Sequence, residues 1–144
     1  MTHVSSVMTR NPAACRVNTP LRDVARMMLE NDCGQIPVLD DKNRLIGVVT
    51  DRDITIRNVS VGGSALATAV EAMTSPVKTV RADSDLKDCV CLMEEAKVRR
   101  IPVVDASDAL VGMVALADLA LAGKDKATAE VVQEVSVPAS TRRD

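Results

Sequence analysis

The sequence predicts a mixed α/β (α+β) fold built from two similar halves, because short β-branched runs and segments of helical period recur in the same order. Displacing the chain by 65 residues aligns Met8–Ile54 with Met73–Leu119 without a gap. Fifteen of the 47 aligned pairs are identical, which indicates a duplicated subdomain. These pairs are Met8/Met73, Thr9/Thr74, Arg16/Arg81, Leu21/Leu86, Asp23/Asp88, Met28/Met93, Glu30/Glu95, Ile36/Ile101, Pro37/Pro102, Val38/Val103, Asp40/Asp105, Leu45/Leu110, Gly47/Gly112, Val49/Val114 and Asp53/Asp118.

The first half opens with a predicted helical turn at Val4–Met8 and a short strand at Cys15–Val17. Thr19 is expected to cap the next helix, with Pro20 as its first residue, and the helix is expected to span Leu21 to about Asn31. A 3.6-residue period predicts its buried stripe. The stripe consists of Leu21, Val24, Ala25 and Met28.

Two strands and a second helix complete each half. In the first half the strands are Gln35–Leu39 and Leu45–Val49, and a helix begins at Asp51. In the second half, the helical turn is expected at Ala69–Met73, the first strand at Val77–Val80, the long helix at Leu86–Ala96 and the next strand at Arg100–Val104. Ser84 and Asp85 precede the long helix, whose buried stripe is expected to be Leu86, Cys89, Val90 and Met93. Each half is therefore predicted to form a small three-stranded sheet with flanking helices.

The repeat sets the expected domain boundaries. Residues 4–57 and 69–122 form the two repeats, and residues 58–68, with Gly62 and Gly63, form a flexible linker. Residues 123–144 are expected to contain an amphipathic helix at Ala127–Val135 and a disordered tail.

Composition excludes several classes of protein. The 144 residues are 47% apolar and 26% charged, as in soluble globular proteins, and the net charge of −2 gives no reason to expect a nucleic-acid partner. No apolar segment approaches the ~20 residues that cross a bilayer, and the N-terminus lacks a charged leader followed by an apolar run. We therefore expect a cytoplasmic protein that does not bind membranes.

The cysteines indicate core positions rather than a metal or redox site. Three of the four align with valines across the repeat, so these sites accept a small apolar side chain. The aligned pairs are Cys15/Val80, Cys33/Val98 and Val24/Cys89. Cys89 and Cys91 lie on different faces of a helix, and His3 is the only histidine, so neither a metal site nor a required cofactor is expected.

One stretch joins an apolar strand directly to a polar helix start. Thr50 is a good N-cap for the helix at Asp51, and the N–H groups of its first turn, with Arg52 beside them, would suit a phosphate. Asp53 would suit the vicinal hydroxyls of a ribose. The alternative is that Thr50 only caps the helix and the acidic residues only complement its dipole. Asp53 recurs as Asp118, which packing alone does not explain.

The repeated motifs carry a resemblance to a known family. The motifs are Val7-Met8-Thr9 and Ala72-Met73-Thr74, Ile36-Pro37-Val38 and Ile101-Pro102-Val103, Gly47–Asp53 and Gly112–Asp118. With them, Val4–Ala122 resembles a pair of cystathionine β-synthase (CBS) domains, the Bateman module. The sequence is similar to the stand-alone bacterial CBS-pair proteins, including the hypoxic response type.

The resemblance implies two pseudo-twofold-related repeats with clefts between them, where AMP, ADP, ATP or a related adenosyl ligand binds and regulates. It implies an energy or metabolite sensor without catalysis, joined into a homodimer through its helices and acting on a regulated protein partner. The sequence agrees, since it contains no Ser/His/Asp set, metal cluster or P-loop. The alternative is a ligand-free homodimeric assembly module; a small enzyme with an unrecognised site has little support.

The resemblance also assigns candidate ligand-binding residues. The first cleft is expected to combine Ile36, Thr50, Arg52, Asp53, Thr74, Val77 and Lys78. The second is expected to combine Thr9, Pro12, Ala13, Arg99, Arg100 and Asp118. In the second motif alanines replace both polar positions of the family pattern. Arg99 and Arg100 match family positions that reach phosphates. The alternative for these arginines and for Lys78 is that they lie in a solvated turn.

The absence of Phe, Tyr and Trp limits how adenine can be held. It is expected to lie between aliphatic side chains and to be recognised by backbone hydrogen bonds. The aliphatic candidates are Ile36, Val38, Val77, Ile101 and Val103. The Asp53 cleft is expected to dominate affinity, and Asp53→Ala is expected to leave stability almost unchanged. Apolar residues beyond the core stripes predict the homodimer: Met27, Leu29, Ile54, Ile56, Leu119 and Leu121.

Overall fold

A computed structural model describes residues 2–121 of the chain, so the predicted helix at Ala127–Val135 and the tail after it lie outside the described residues. The elements confirm the order strand, helix, strand, strand, helix in both halves. They are β1 Thr9–Arg10, β2 Cys15–Arg16, α1 Leu21–Asn31, β3 Gln35–Leu39, β4 Leu45–Thr50, α2 Asp51–Arg57, α3 Ala69–Ala72, β5 Val80–Arg81, α4 Leu86–Ala96, β6 Arg100–Val104, β7 Leu110–Ala115 and α5 Leu116–Leu121, with 3-10 turns at Val4–Ser6 and Val59–Val61.

The strands form two small sheets. One has the order β2-β3-β4, with β2 parallel to β3 and β3 antiparallel to β4. The other has the order β1-β7-β6-β5, with β5 parallel to β6 and β1 antiparallel to β7. The second sheet therefore has one strand more than predicted, because the segment at Thr9–Arg10 adds an edge strand to β7. The mixed α/β class is confirmed.

The two compact units do not coincide with the two repeats. Within the described residues, unit 1 contains the chain up to Pro12, Lys78–Ala106 and the chain from Val111. Unit 2 contains Ala13–Val77 and Ser107–Leu110. The segment that precedes β2 thus packs with the second repeat, and the segment that precedes β5 packs with the first.

Each unit has its own hydrophobic core. In unit 1, α4 buries all four of its predicted stripe residues, Leu86, Cys89, Val90 and Met93. In unit 2, α1 buries Leu21, Val24 and Met28, but Ala25 is exposed. The prediction for Ala25 is wrong because α1 packs along the narrow i, i+3, i+7 line, and Ala25 lies one step around the helix from it.

The start of α1 differs from the predicted cap. Pro20, not Thr19, is the N-cap residue, and no side chain caps the helix. Thr19 Oγ1 instead accepts a hydrogen bond from Arg16 N at 2.9 Å. The first-turn N–H groups of Leu21 and Arg22 donate to carbonyls of residues 67 and 65 at 2.7 and 2.9 Å. Backbone from the predicted linker therefore satisfies the helix start.

That predicted linker is bonded to unit 2 rather than extended away from it. Asn58 is 7% exposed, and its Nδ2 donates to Ser64 O at 3.0 Å. Gly63 N donates to Asn58 O at 2.8 Å. Asn58 thus closes the turn that returns the chain to α1, and the flexibility expected of residues 58–68 stays a prediction.

The cysteines occupy the positions expected of small apolar residues. Cys15 and Cys89 are buried, Cys33 is half-buried, and all four are free thiols. Burial raises the pKa of Cys15 and of Cys89 to about 11. Among residues 2–121, no helix combines the length and apolar character that crossing a bilayer requires.

Candidate functional site

The junction of β4 and α2 is held by a reciprocal pair of hydrogen bonds. Thr50 Oγ1 accepts from Asp53 N at 3.0 Å, and Thr50 N donates to Asp53 Oδ2 at 3.0 Å. This capping box satisfies two backbone donors at once. Asp53 therefore has a structural task whether or not a ligand is present.

Two further side chains contact the Asp53 carboxylate. Thr74 Oγ1 lies 3.0 Å from Oδ1 and 3.1 Å from Oδ2. Arg57 Nε lies 3.9 Å from Oδ1, and Arg57 Nη1 donates to Met73 O at 2.7 Å. Asp53 is only 8% exposed. These contacts argue against the expectation that Asp53→Ala leaves stability almost unchanged, because removal of the carboxylate leaves several donors without their acceptor.

The first turn of α2 does not offer free N–H groups to a phosphate. Asp51 N donates to Gly34 O at 3.0 Å, and Arg52 N donates to Asp51 Oδ1 at 2.8 Å. Asp53 N is taken by Thr50. The expectation of free N–H groups at this helix start is therefore wrong, whereas a phosphate contact from Arg52 stays a prediction. The Arg52 side chain is exposed.

Thr74 is placed by a backbone bridge to β4. Val48 N donates to Thr74 O at 3.0 Å, and Thr74 N donates to Val48 O at 2.8 Å. A Cβ on Gly47 would lie 2.9 Å from Thr74 O and 2.7 Å from Met73 Sδ. The motif glycine is thus required for the close approach of this segment.

The equivalent site in unit 1 has fewer internal contacts. Ala115 N donates to Asp118 Oδ2 at 2.7 Å, but Ala115 has no hydroxyl to return the bond. Within residues 2–121, no side-chain hydrogen bond joins Thr9 to Asp118. Leu116 N donates to Arg99 O at 2.9 Å, which places Arg99 at the start of the helix that carries Asp118. Asp118 is half-buried.

The aliphatic side chains proposed to hold adenine belong mostly to the cores. Four of the five candidates are 0% exposed: Ile36, Val38, Ile101 and Val103. The prediction that these side chains face a ligand is wrong for this structure, because they fill the space between the sheet and the helix of their own unit. Val77 is half-buried.

The other predicted site residues divide between the units. Pro12, Arg99 and Arg100 belong to unit 1 with Asp118, and Arg99 is exposed. Lys78, predicted beside Asp53, is an exposed residue of unit 1, and Ala13, predicted beside Asp118, belongs to unit 2.

Sequence reasoning missed two residues at the Asp53 site. Arg57 follows Asp53 by four residues on α2, a spacing that predicts an ion pair on a helix. Asp51 lies over Gly34, where an added Cβ would be 3.0 Å from Asp51 Oδ2. No local sequence signal connects Gly34 with Asp51, because the hairpin of β3 and β4 separates them in the chain.

Comparison with known proteins divides the chain into the same two repeats as the sequence does. A family model described as CBS domain matches residues 4–57 and 68–125. Hypoxic response protein 1 of Mycobacterium tuberculosis is 32% identical over 139 residues, which cover 96% of both chains. The crystal structure of Hypoxic Response Protein I with two coordinated zinc ions has a TM-score of 0.76 and 34% identity, covering 83% of this chain and 98% of that one. The structure of CBSX2 in complex with AMP has a TM-score of 0.77 and 27% identity, covering 88% and 98%.

The structure of Hypoxic Response Protein I holds two coordinated zinc ions, and zinc in proteins is bound by Cys, His and carboxylate side chains. Among residues 2–121, no group of three or more His, Cys, Asp or Glu side chains could hold a metal ion. Two of the four thiols are buried in the cores, where their raised pKa values disfavour the thiolate that zinc prefers.

Each family match includes one glycine-to-aspartate motif, and each of those motifs forms the predicted strand-to-helix junction. The resemblance found in the sequence, including the likeness to the hypoxic response type, is confirmed. The chain therefore belongs to the CBS domain family, as a tandem pair of these domains.

Proposed function

We propose that this CBS pair is a non-enzymatic regulatory module that binds an adenine nucleotide or a related adenosyl ligand. AMP, ADP and ATP are the first candidates, and the response to them makes the module an energy or metabolite sensor. The complex of CBSX2 with AMP supports this class of ligand, at 27% identity over 88% of the chain.

The observation that carries the proposal is the duplicated carboxylate. Asp53 and Asp118 each stand in the first turn of a helix that follows a buried strand, and each is oriented by a backbone N–H at 3.0 or 2.7 Å. A carboxylate held in this way can accept hydrogen bonds from two vicinal hydroxyls, as a ribose presents. Duplication of the geometry supports a function beyond helix capping.

The remaining groups suit the rest of a nucleotide. The side chains of Arg52, Arg99 and Arg100 carry the positive charge that a phosphate requires. Without aromatic residues, adenine would be held by backbone hydrogen bonds and half-buried apolar contacts such as Val77. Phosphate contacts would then contribute much of the selectivity among adenine ligands.

Ultraviolet absorbance gives a direct first test. The chain has no Trp or Tyr, so a band near 260 nm in the purified protein would reveal retained nucleotide. Calorimetric titration with AMP, ADP, ATP, NAD and S-adenosylmethionine then measures binding. If none of these binds at millimolar concentration, the sensor proposal fails.

The second candidate function is a ligand-free homodimeric assembly module, and exposed apolar side chains of unit 2 favour it. Leu29 is 82% exposed on α1, and Ile56 is 50% exposed on α2. The neighbouring segments add further exposed side chains, which are Val59, Val61, Leu66 and Val70. Such surface commonly mediates association.

Part of the apolar surface predicted from the sequence is internal. Met27 and Ile54 pack against the unit 2 core, and Leu119 is fully buried in unit 1. The proposed homodimer surface is therefore centred on Leu29 and Ile56. Light scattering at micromolar concentration is expected to give the dimer mass, and Leu29→Glu with Ile56→Glu is expected to give the monomer. A monomeric parent protein would contradict the dimer.

A further inference from the structure

The carboxylates of Asp53 and Asp118 differ in how many hydrogen bonds they already accept from the protein. Both oxygens of Asp53 accept from Thr74 Oγ1, at 3.0 and 3.1 Å, and Thr50 N occupies Oδ2 as well. With 8% exposure, this carboxylate has little capacity left for the hydroxyls of a ribose. A ligand must displace the Thr74 hydroxyl before it can use Asp53.

Asp118 lacks this internal competitor. Within residues 2–121, Ala115 N is the donor that contacts its carboxylate, and it uses Oδ2 alone. Thr9 occupies the repeat position of Thr74 but makes no hydrogen bond to Asp118. Asp118 Oδ1 is thus available to a hydroxyl without rearrangement.

The charges beside the two carboxylates also differ. In unit 2, the residue that receives the hydrogen bond from the helix start is Gly34, and the Asp51 carboxylate lies against it. In unit 1, the same backbone bond, from Leu116 N, ends on Arg99. The next residues are Gln35 and Arg100, respectively. At the Asp53 site the exposed Arg52 is thus accompanied by the Asp51 carboxylate, and Arg57 is already paired with Asp53. At the Asp118 site the two arginines Arg99 and Arg100 follow one another in the sequence, so an anionic ligand is expected to meet the larger net positive charge there.

We infer that the two sites are unequal, with a phosphorylated adenine nucleotide binding first at Asp118 beside Arg99 and Arg100, while Thr74 holds the Asp53 site closed. The inference rests on the proposed function and reverses the order of affinity expected from the sequence. Arg99 and Arg100 determine the selectivity of the Asp118 site for phosphate. Thr74 determines whether the Asp53 site is available to a ligand.

Paired substitutions test the order of the sites. Calorimetry with AMP and ATP is expected to show an affinity loss of at least about tenfold for Asp118→Asn, and a smaller loss for Asp53→Asn. Circular dichroism melting of each variant confirms that it is folded. A larger loss for Asp53→Asn would overturn the inference while leaving the proposed function intact. Absence of binding by the parent protein would instead reject the proposed function.

A gain of function tests the closed site. Thr74→Val keeps the β-branched shape and removes the hydroxyl, so it is expected to raise affinity or stoichiometry for adenosine by about threefold or more. Thr9→Val, at the matched position of unit 1, is expected to give no gain. If Thr74→Val weakens binding or leaves it unchanged, the closing role of Thr74 is wrong.

Charge selection is tested with adenosine as the uncharged probe. Arg99→Gln is expected to weaken ATP several-fold and AMP less, while adenosine binds as it does to the parent protein. Lys87→Gln removes the same charge from an exposed position of α4 and is the matched control. Equal effects of both variants on ATP would assign the selectivity to net charge and refute a role for Arg99.

Discussion

Replacement of Asp53 by Ala measures how much the protein depends on this carboxylate without any ligand. The change removes the acceptor for Thr50 N at 3.0 Å and for Thr74 Oγ1 at 3.0 Å. It also leaves Arg57, whose Nε lies 3.9 Å away, without its acidic partner. Asp118→Ala is the matched change in unit 1, where one backbone donor at 2.7 Å is affected.

The expected magnitudes follow from these contacts. Loss of the capping interaction costs about 0.5–2 kcal/mol. The Thr74 hydrogen bond to a charged group adds about 1.5 kcal/mol, since this hydroxyl can be rehydrated. The Arg57 pair adds about 0–1 kcal/mol because its guanidinium is half exposed. We expect Asp53→Ala to lower the free energy of unfolding by about 2–4.5 kcal/mol in total, and Asp118→Ala by about 1–2 kcal/mol.

Thermal melting followed by circular dichroism, on ligand-free protein at pH 7, makes the comparison. With about 2–4 °C per kcal/mol for a chain of this size, Asp53→Ala should lower Tm by about 5–15 °C and Asp118→Ala by about half as much. The double variant with Thr74→Val should lose less than the sum of the single changes. Equal losses at both aspartates, or a Tm of Asp53→Ala within about 2 °C of the parent, would refute the assigned contacts.

Three further results are expected from the fold. Gly47→Ala should destabilise the protein by about 1–3 kcal/mol, because the added Cβ would lie 2.9 Å from a backbone carbonyl oxygen. Gly34→Ala should cost less, because its Cβ would meet only the end of an exposed carboxylate. Urea unfolding of both variants measures the difference. Backbone hydrogen bonds lower the pKa of Asp40 below its ordinary 3.8. The ionised carboxylate therefore stabilises the folded protein above pH 3.8, and this contribution is lost as the pH falls through the lowered pKa. Asp40→Asn should reduce the acid sensitivity of Tm between about pH 5 and pH 2. A thiol reagent at pH 8 should modify the exposed Cys91 rapidly and the buried Cys89, with its pKa of about 11, only on unfolding; rapid modification of both in native protein would contradict this packing.

The sequence was sufficient for the features that depend on local pattern. The bounds of α1 and α4 and the strands β3 and β6 agree with the periodicity of their apolar residues. The Thr50 cap was predictable because a capping box involves residues three positions apart. The offset of 65 residues located the second junction from the first.

Contacts between distant segments decided the rest. Thr74 reaches Asp53 across 21 residues, through a bridge to β4 that a local pattern does not encode. Gly34 accepts the first N–H of α2, so a helix start that appeared free for phosphate is already satisfied. The sequence by itself determined which polar groups this protein has, in two copies, at its strand-to-helix junctions. Only the tertiary structure decided which of them remain available, because the Thr74 hydroxyl that occupies both oxygens of Asp53 is brought to it by packing of the segment that precedes β5.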